Sequence, residues 1–268
     1  MPKIVFWSPV ATSIGQTHAS IAVSTLMAIE EDFSNILLHG HWLAKKIESS
    51  FTDYESLKAQ NVFNSSSIGI TALARLVESN KLTPESIRNY AKPVLKQRLD
   101  IMYGTNVASR EQFSQLTNSL NMVIQKANET YDLVWIDSPK SVEKEYIREV
   151  LQSADYVICT INQEGVFLDE AIEKYLANDI IKNKPKMLLM CNYEPKSKYN
   201  IPNIRRKYGI KETIHAIPHN YIFTDACNDG TVVDFFYKNL GADKNDYNGY
   251  FIQEVRSVTK TVLDHVKI

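Results

Sequence analysis

Lys3-Ile4-Val5-Phe6-Trp7, followed by a polar turn from Ser8 to Ser13 and then apolar residues at Ile14, Ile21, Ala22, Leu26 and Ile29, decides the fold. The first five residues are β-prone and almost wholly apolar, which is how a strand covered on both faces of a parallel sheet reads. The later apolar positions recur at helical spacing, so a helix beginning near Ile14 is expected to lie back on the sheet. Working outward, the same kind of strand recurs at Asn35-Ile36-Leu37-Leu38, Leu133-Val134-Trp135-Ile136, Tyr156 to Ile161, Lys186 to Asn192 and Ile214 to Pro218. Helical pattern separates successive strands. Alternating β and α with apolar strands predicts an α/β fold: a parallel β-sheet flanked by helices on both faces.

Residues 43 to 130 read mostly as helix. Ile68, Ala72, Leu73 and Leu76 make one face, Thr83-Pro84-Glu85-Ser86 is a helix start with Thr83 as N-cap, and Arg110 to Glu129 is amphipathic. Leu99 to Gly104 reads as a short strand ending in a turn. No Pro/Gly/Ser linker and no repeat divides the chain, so residues 1–268 are expected to form a single domain. At the C-terminus Phe251, Val255, Val258, Val262 and Val266 share a helical stripe. Its polar face mixes Arg256 and Lys260 with Glu254 and Asp264, without the cationic bias of a membrane-surface helix, so it is expected to dock on the sheet.

Composition narrows the chemistry. Among 268 residues, 30 Lys and Arg face 31 Asp and Glu, which argues against a basic nucleic-acid coat or an acidic tail. Apolar residues make up 44% and charged residues 23%, which excludes wholesale disorder. Glycine numbers 9, where a usage of ~7% would give about 19, so phosphate-wrapping Gly-rich loops are scarce. Cys159, Cys191 and Cys227 form no CxxC pair, which disfavours a zinc site and fits buried thiols in a reducing compartment. The N-terminus is too polar for a secretory signal, and no apolar run reaches the roughly 18 residues of a membrane span. A cytoplasmic protein is expected.

In sheets of this type ligands sit at the carboxyl ends of the strands. The polar residues there are Ser8 to His18, His39 to Trp42, Asp137 to Lys140, Asn162 to Gly165, Asn192, and Pro218 to Asn220. The first strand-to-helix turn is where a GxxxxGK[ST] loop would fall, and of that pattern Gly15 and Thr17 are present. Tyr131-Asp132-Leu133-Val134-Trp135-Ile136-Asp137-Ser138-Pro139 matches a Walker B strand. Ala154-Asp155-Tyr156-Val157-Ile158-Cys159-Thr160, Asn192, Ile217-Pro218-His219-Asn220 and Asp225 to Gly230 follow in the corresponding order.

On these motifs the whole chain resembles the MinD/ParA family of deviant-Walker-A P-loop ATPases (the SIMIBI class). The resemblance implies nucleotide contacts from Ser13, Ile14, Gly15, Gln16, Thr17 and His18, with Asn192 and Pro218 on the adenine side, and Mg²⁺ contacts from Thr17 and Asp137. Against the family loop KGGVGKTT, this chain departs at both lysines: the signature lysine is Ala11 and the P-loop lysine is Gln16. Two loop glycines are Thr12 and Ser13, and the family's DxD is His39-Gly40-His41. Hydrogen bonds to charged groups contribute about 1.5–3 kcal/mol each, so losing both lysines costs about 3–6 kcal/mol, or roughly two to four decades of affinity. Phosphoryl transfer relies on positioned positive charge. ATP and Mg²⁺ are therefore expected to bind weakly and not to be required, and no catalytic residue is assigned. Free N–H groups at the helix start still offer an anion site, and Lys140 is the one candidate for a compensating charge.

The expected role is a degenerate relative, similar to pilus-assembly localisers of the TadZ/CpaE kind, acting as a scaffold for other proteins of a localisation or assembly machinery. It could form a homodimer without nucleotide, and membrane association would be indirect. The alternatives are a slow ATP-dependent switch of the same family and a DNA-associated partition factor. The latter would use the cations of Lys196, Lys198, Arg205, Arg206, Lys207 and Lys211, which read more simply as a solvated face. His18, His39 and His41 are expected to fill space near the strand ends, not to bind zinc.

Overall fold

The computed structural model describes residues 1–11, 15–41, 46–53, 55–56, 68–105, 109–139 and 144–266. Among these residues eight strands form one sheet: β1 (Lys3–Trp7), β2 (Asn35–His39), β3 (Lys92–Leu95), β4 (Leu99–Ile101), β5 (Leu133–Asp137), β6 (Tyr156–Ile161), β7 (Lys186–Tyr193) and β8 (Ile214–Pro218). Their spatial order is β3-β4-β2-β5-β1-β6-β7-β8. Every neighbouring pair is parallel except β3 and β4, which pair antiparallel with a register shift between Pro93 and Leu95.

Strand β3 is a strand that the sequence reading misses. It is an edge strand of four residues with only partial burial, so it lacks the apolar run that reveals the central strands, and Pro93 belongs where one side of the ladder is unpaired.

The central strands sort their side chains by parity. Val5 and Trp7 of β1, with Val134 and Ile136 of β5, join one apolar cluster. Ile4 and Phe6, with Leu133 and Trp135, join the other. The first cluster is completed by helices α3 (Gly69–Glu78), α4 (Pro84–Tyr90), α5 (Arg110–Thr130), α6 (Lys144–Ser153), α7 (Gly165–Leu176) and α8 (Ile201–Tyr208). The second is completed by α1 (Gln16–Glu30), α2 (Lys46–Ser50), α9 (Tyr221–Asp229), α10 (Val232–Asn239) and α11 (Tyr247–His265). Helices thus cover both faces, as the pattern predicts.

Local signals decide several helix ends. Thr83 and Ser86 form a reciprocal capping box ahead of α4, with Pro84 in the first turn. Helix α1 starts at Gln16, two residues beyond Ile14, which itself lies outside the described residues. The C-terminal stripe docks as expected, with Phe251, Val255, Val258 and Val262 all buried. Cys159, Cys191 and Cys227 form no disulfide and are buried, and burial pushes the Cys227 thiol up to about 12 and that of Cys159 well above its ordinary value.

Candidate functional site

The carboxyl ends of β2, β5, β1 and β6 lie side by side, and α1 crosses over them from β1. Asp137 continues the parity of Leu133 and Trp135, and Thr160 that of Tyr156 and Ile158, so both face the α1 layer. Gln16, in the first turn of α1, falls between them. Its amide nitrogen donates to Asp137 Oδ1 at 2.6 Å and to the Ser138 carbonyl at 2.8 Å. Its amide oxygen accepts from Thr160 Oγ1 at 3.1 Å. Gln16 and Asp137 are both 0% exposed. One neutral side chain therefore ties the ends of β5 and β6 to the start of α1.

The other Asp137 oxygen is also engaged. His41 Nε2 lies 2.9 Å from Oδ2. Burial is the largest influence on the Asp137 carboxyl and works to raise its pKa, but His41, with hydrogen bonds from Gln16 and Thr17, holds it below the ordinary carboxylate range. His39 belongs to a second pair. Its Nε2 lies 3.0 Å from Glu48 Oε1 on α2, which also accepts from the Gly104 backbone N–H at 2.8 Å. A Cβ at Gly104 would come within 2.3 Å of the His39 ring, so only glycine lets the backbone approach there. Burial works most strongly against charge on both partners, yet their mutual attraction wins: His39 is raised above its usual pKa and Glu48 is lowered. The His39 and His41 rings stack with centroids 5.5 Å apart. The result is a chain of alternating partners, Glu48–His39–His41–Asp137–Gln16–Thr160, across the ends of β2, β5 and β6.

The remaining sequence-derived candidates disperse around this chain. Gly15 caps α1 with φ +87°, and the Asn192 side chain sits against it so closely that a Cβ would lie 2.9 Å from Asn192 Nδ2. Asn192 itself has φ +52°, at the bulge where β7 slips against β8. Pro218 ends β8. Together with His18, Asn220 and Phe223 these residues line a cavity of about 20 Å³, room for about one water where ligand pockets run to roughly 300–1,000 Å³. His18 stands edge-on to Phe223 at 6.2 Å, and burial, then Lys46 and His219, lower its pKa to about 4. It does not join His39 and His41. Among the described residues no cluster of His, Cys, Asp and Glu could hold a metal ion. Ser13, Ile14 and Lys140 lie outside the described residues.

Sequence reasoning named Gln16 and Asp137 singly and did not foresee that they bond to each other. It missed Glu48, and gave Thr160 only as the end of a family-like stretch, with no role of its own. The available signal was parity: Asp137 and Thr160 both fall on the α1 side of strands flanking β1.

Comparison with known proteins agrees with this architecture. No family model matches the chain, and no curated protein does. Solved structures do match over nearly the full length. They include a ParA family ATPase from Chlorobium tepidum TLS (14% identity, 94% of this chain and 95% of that one, TM-score 0.70). The septum site-determining protein MinD complexed with Mg-ADP from Pyrococcus horikoshii OT3 also matches (16% identity, 100% and 99%, TM-score 0.66). So does the MinC:MinD cell division complex of Aquifex aeolicus (14% identity, 97% and 96%, TM-score 0.67). The chain therefore has the MinD/ParA P-loop NTPase fold, a mostly parallel sheet between two helical layers. Among the described residues no helix is long and apolar enough to cross a membrane.

Proposed function

We propose that this chain is an architectural member of the MinD/ParA fold, which organises other proteins of a localisation or assembly machinery without cycling ATP. One observation carries the reading: the residue at the P-loop lysine position, Gln16, spends both amide hydrogens and its carbonyl inside the protein, on Asp137, Ser138 and Thr160. A lysine there would reach out to phosphate with a full charge. This amide is neutral and has no donor left.

The described residues do not fit Mg-ATP as they stand. Asp137, at the Walker B position, has Oδ1 bonded to Gln16 and Oδ2 to His41, so a cation would have to displace both. On the adenine side, Asn192 rests on Gly15 and the cavity holds about 20 Å³. What the site does instead is join β2, β5 and β6 to α1 and α2 through hydrogen bonds, the position that nucleotide would otherwise brace.

Relatives in fold that are described as cell division and plasmid partition proteins favour a role in spatial organisation over one in metabolism. Titration calorimetry with Mg-ATP, together with a phosphate-release assay, tests the reading. Binding is expected to be absent or weaker than low micromolar, with no turnover. Tight binding with turnover that Asp137→Asn abolishes would establish a slow ATPase switch instead.

A further inference from the structure

The charge of this chain is close to balanced overall, but two local patches of opposite sign lie on opposite faces of the sheet. Between Lys196 and Lys211 there are six cations and no carboxylate. Among the described residues, only Lys207 of these six has an ion-pair partner, Asp169, at 2.7 Å. Within this segment α8 and the loop before it enclose an open cavity of about 360 Å³. Its lining combines Tyr199, Ile204 and Tyr208 with Lys198, Arg206 and Lys207. The cations lie over the aromatic rings: Lys198 Nζ is 5.2 Å from the Tyr199 centroid and Lys207 Nζ 4.6 Å from that of Tyr208. Asp169 accepts from both Lys207 Nζ and the Tyr208 hydroxyl, so the chain itself demonstrates that this rim receives a carboxylate. The volume admits an aromatic ring, and Lys198 and Arg206, which among the described residues have no acidic partner, would meet further acids beside it.

The opposite face carries the complement. Asp225, Asp229, Asp234, Asp243 and Asp246 are all exposed, and among the described residues none is in an ion pair. Lys238 and Lys244 reduce this charge without reversing it. Tyr237 of α10 is 57% exposed and stands one helical turn from Asp234, on the same side of the helix. It is an aromatic anchor flanked by acid. Helix α8 packs through Ile204 on one side of the sheet and α10 through Phe235 and Phe236 on the other, so the two patches of one molecule cannot meet.

We propose that the α8 cavity receives the Tyr237–Asp234 face of a second copy of this chain, joining molecules head to tail. The contact is heterologous: each added copy leaves one cavity and one anchor free, so growth does not close at a dimer unless the rotation forms a ring. It involves neither the strand-end site nor nucleotide, and it stands or falls independently of the reading given above.

Sedimentation velocity of the full chain without nucleotide, over a wide concentration range at low and high salt, tests it. Association that rises past a dimer and weakens with salt is expected. The double variant Lys198→Glu/Arg206→Glu disables the cavity, and Asp234→Lys/Tyr237→Ser disables the anchor. All four positions are exposed, and circular dichroism checks that the variants fold. Each variant alone should associate roughly 30-fold more weakly, as expected for loss of an interface anchor. Mixing the two should give a particle of one copy of each that grows no further, because one good cavity then meets one good anchor. A chain that stays monomeric, a dimer indifferent to both variants, or a mixture that remains monomeric overturns the proposal. So does a labelled DNA duplex or an unrelated acidic, tyrosine-bearing peptide that binds the α8 cavity while copies of the chain do not associate.

Discussion

A single neutral amide holds the candidate site together, so its removal is informative. Gln16→Ala would leave Asp137 Oδ1 and the Ser138 carbonyl, both buried, without their donor. Buried groups left unsatisfied cost about 1–3 kcal/mol each, more when charged, so a loss of about 2–4 kcal/mol is expected in chemical denaturation. Gln16→Glu should be worse, since it sets a second carboxylate against Asp137. The His39–Glu48 pair makes a separate prediction about pH. His39 is raised in the folded chain, so its contribution is complete below the unfolded value of 6.5 and disappears as pH rises through the higher folded value. Glu48 is lowered, so its contribution is complete above 4.5 and disappears as pH falls through the folded value. His18 has the opposite sign to His39: lowered to about 4, it favours folding above 6.5 and that contribution fades as pH drops toward 4. Thermal unfolding from pH 4 to 9 should show Glu48→Gln losing the decline on the alkaline side of 6.5, while His18→Leu loses part of the decline on the acid side. A Glu48→Gln profile parallel to the parent's above pH 6.5 would count against the pair.

At the scale of elements, α11 docks through a cluster of rings. Phe251 is 1% exposed and lies 4.8 Å from Phe223 and 5.8 Å from Phe235, centroid to centroid. Phe251→Ala is expected to cost about 3–5 kcal/mol, the usual range for an aromatic removed from a core, measured as a lower midpoint in urea. A cost under about 1 kcal/mol would mean that α11 is loosely attached. This helix was legible in the sequence because burial writes itself as spacing: Phe251, Val255, Val258 and Val262 repeat at helical intervals. The central strands were legible for a related reason, since both of their faces are covered and their residues are uniformly apolar. Strand β3 was not, because an edge strand of four residues has neither alternation nor an apolar run. The candidate site was half legible. Position along the chain marked Gln16, Asp137 and Asn192, but a hydrogen bond between residues 121 positions apart leaves no local trace. Glu48, on a five-residue helix, carries no periodic signal at all.

For the molecule as a whole, the proposed architectural role predicts a fold that does not wait for nucleotide. Differential scanning fluorimetry with and without excess Mg-ATP should give the same midpoint. Saturation a hundredfold above the dissociation constant would add about 2.7 kcal/mol, which would appear as a shift of roughly 5 °C for a domain of this size. Such a shift would locate a working nucleotide site and move the balance toward the switch reading. A flat result agrees with a site braced from within, where Gln16 and His41 already occupy both oxygens of Asp137.

The three cysteines have a practical corollary. Cys159 and Cys191 sit on neighbouring strands of the sheet and Cys227 on α9, each sealed from solvent. An alkylating reagent such as a maleimide can reach them only when the chain opens, and the elevated thiol pKa values of Cys159 and Cys227 slow any reaction before that point. The labelling rate is then a clock for opening, readable by mass spectrometry even in a crude extract. If Cys227 is tagged sooner than the sheet pair, α9 peels away before the sheet comes apart; if all three are tagged together, the molecule opens as one unit.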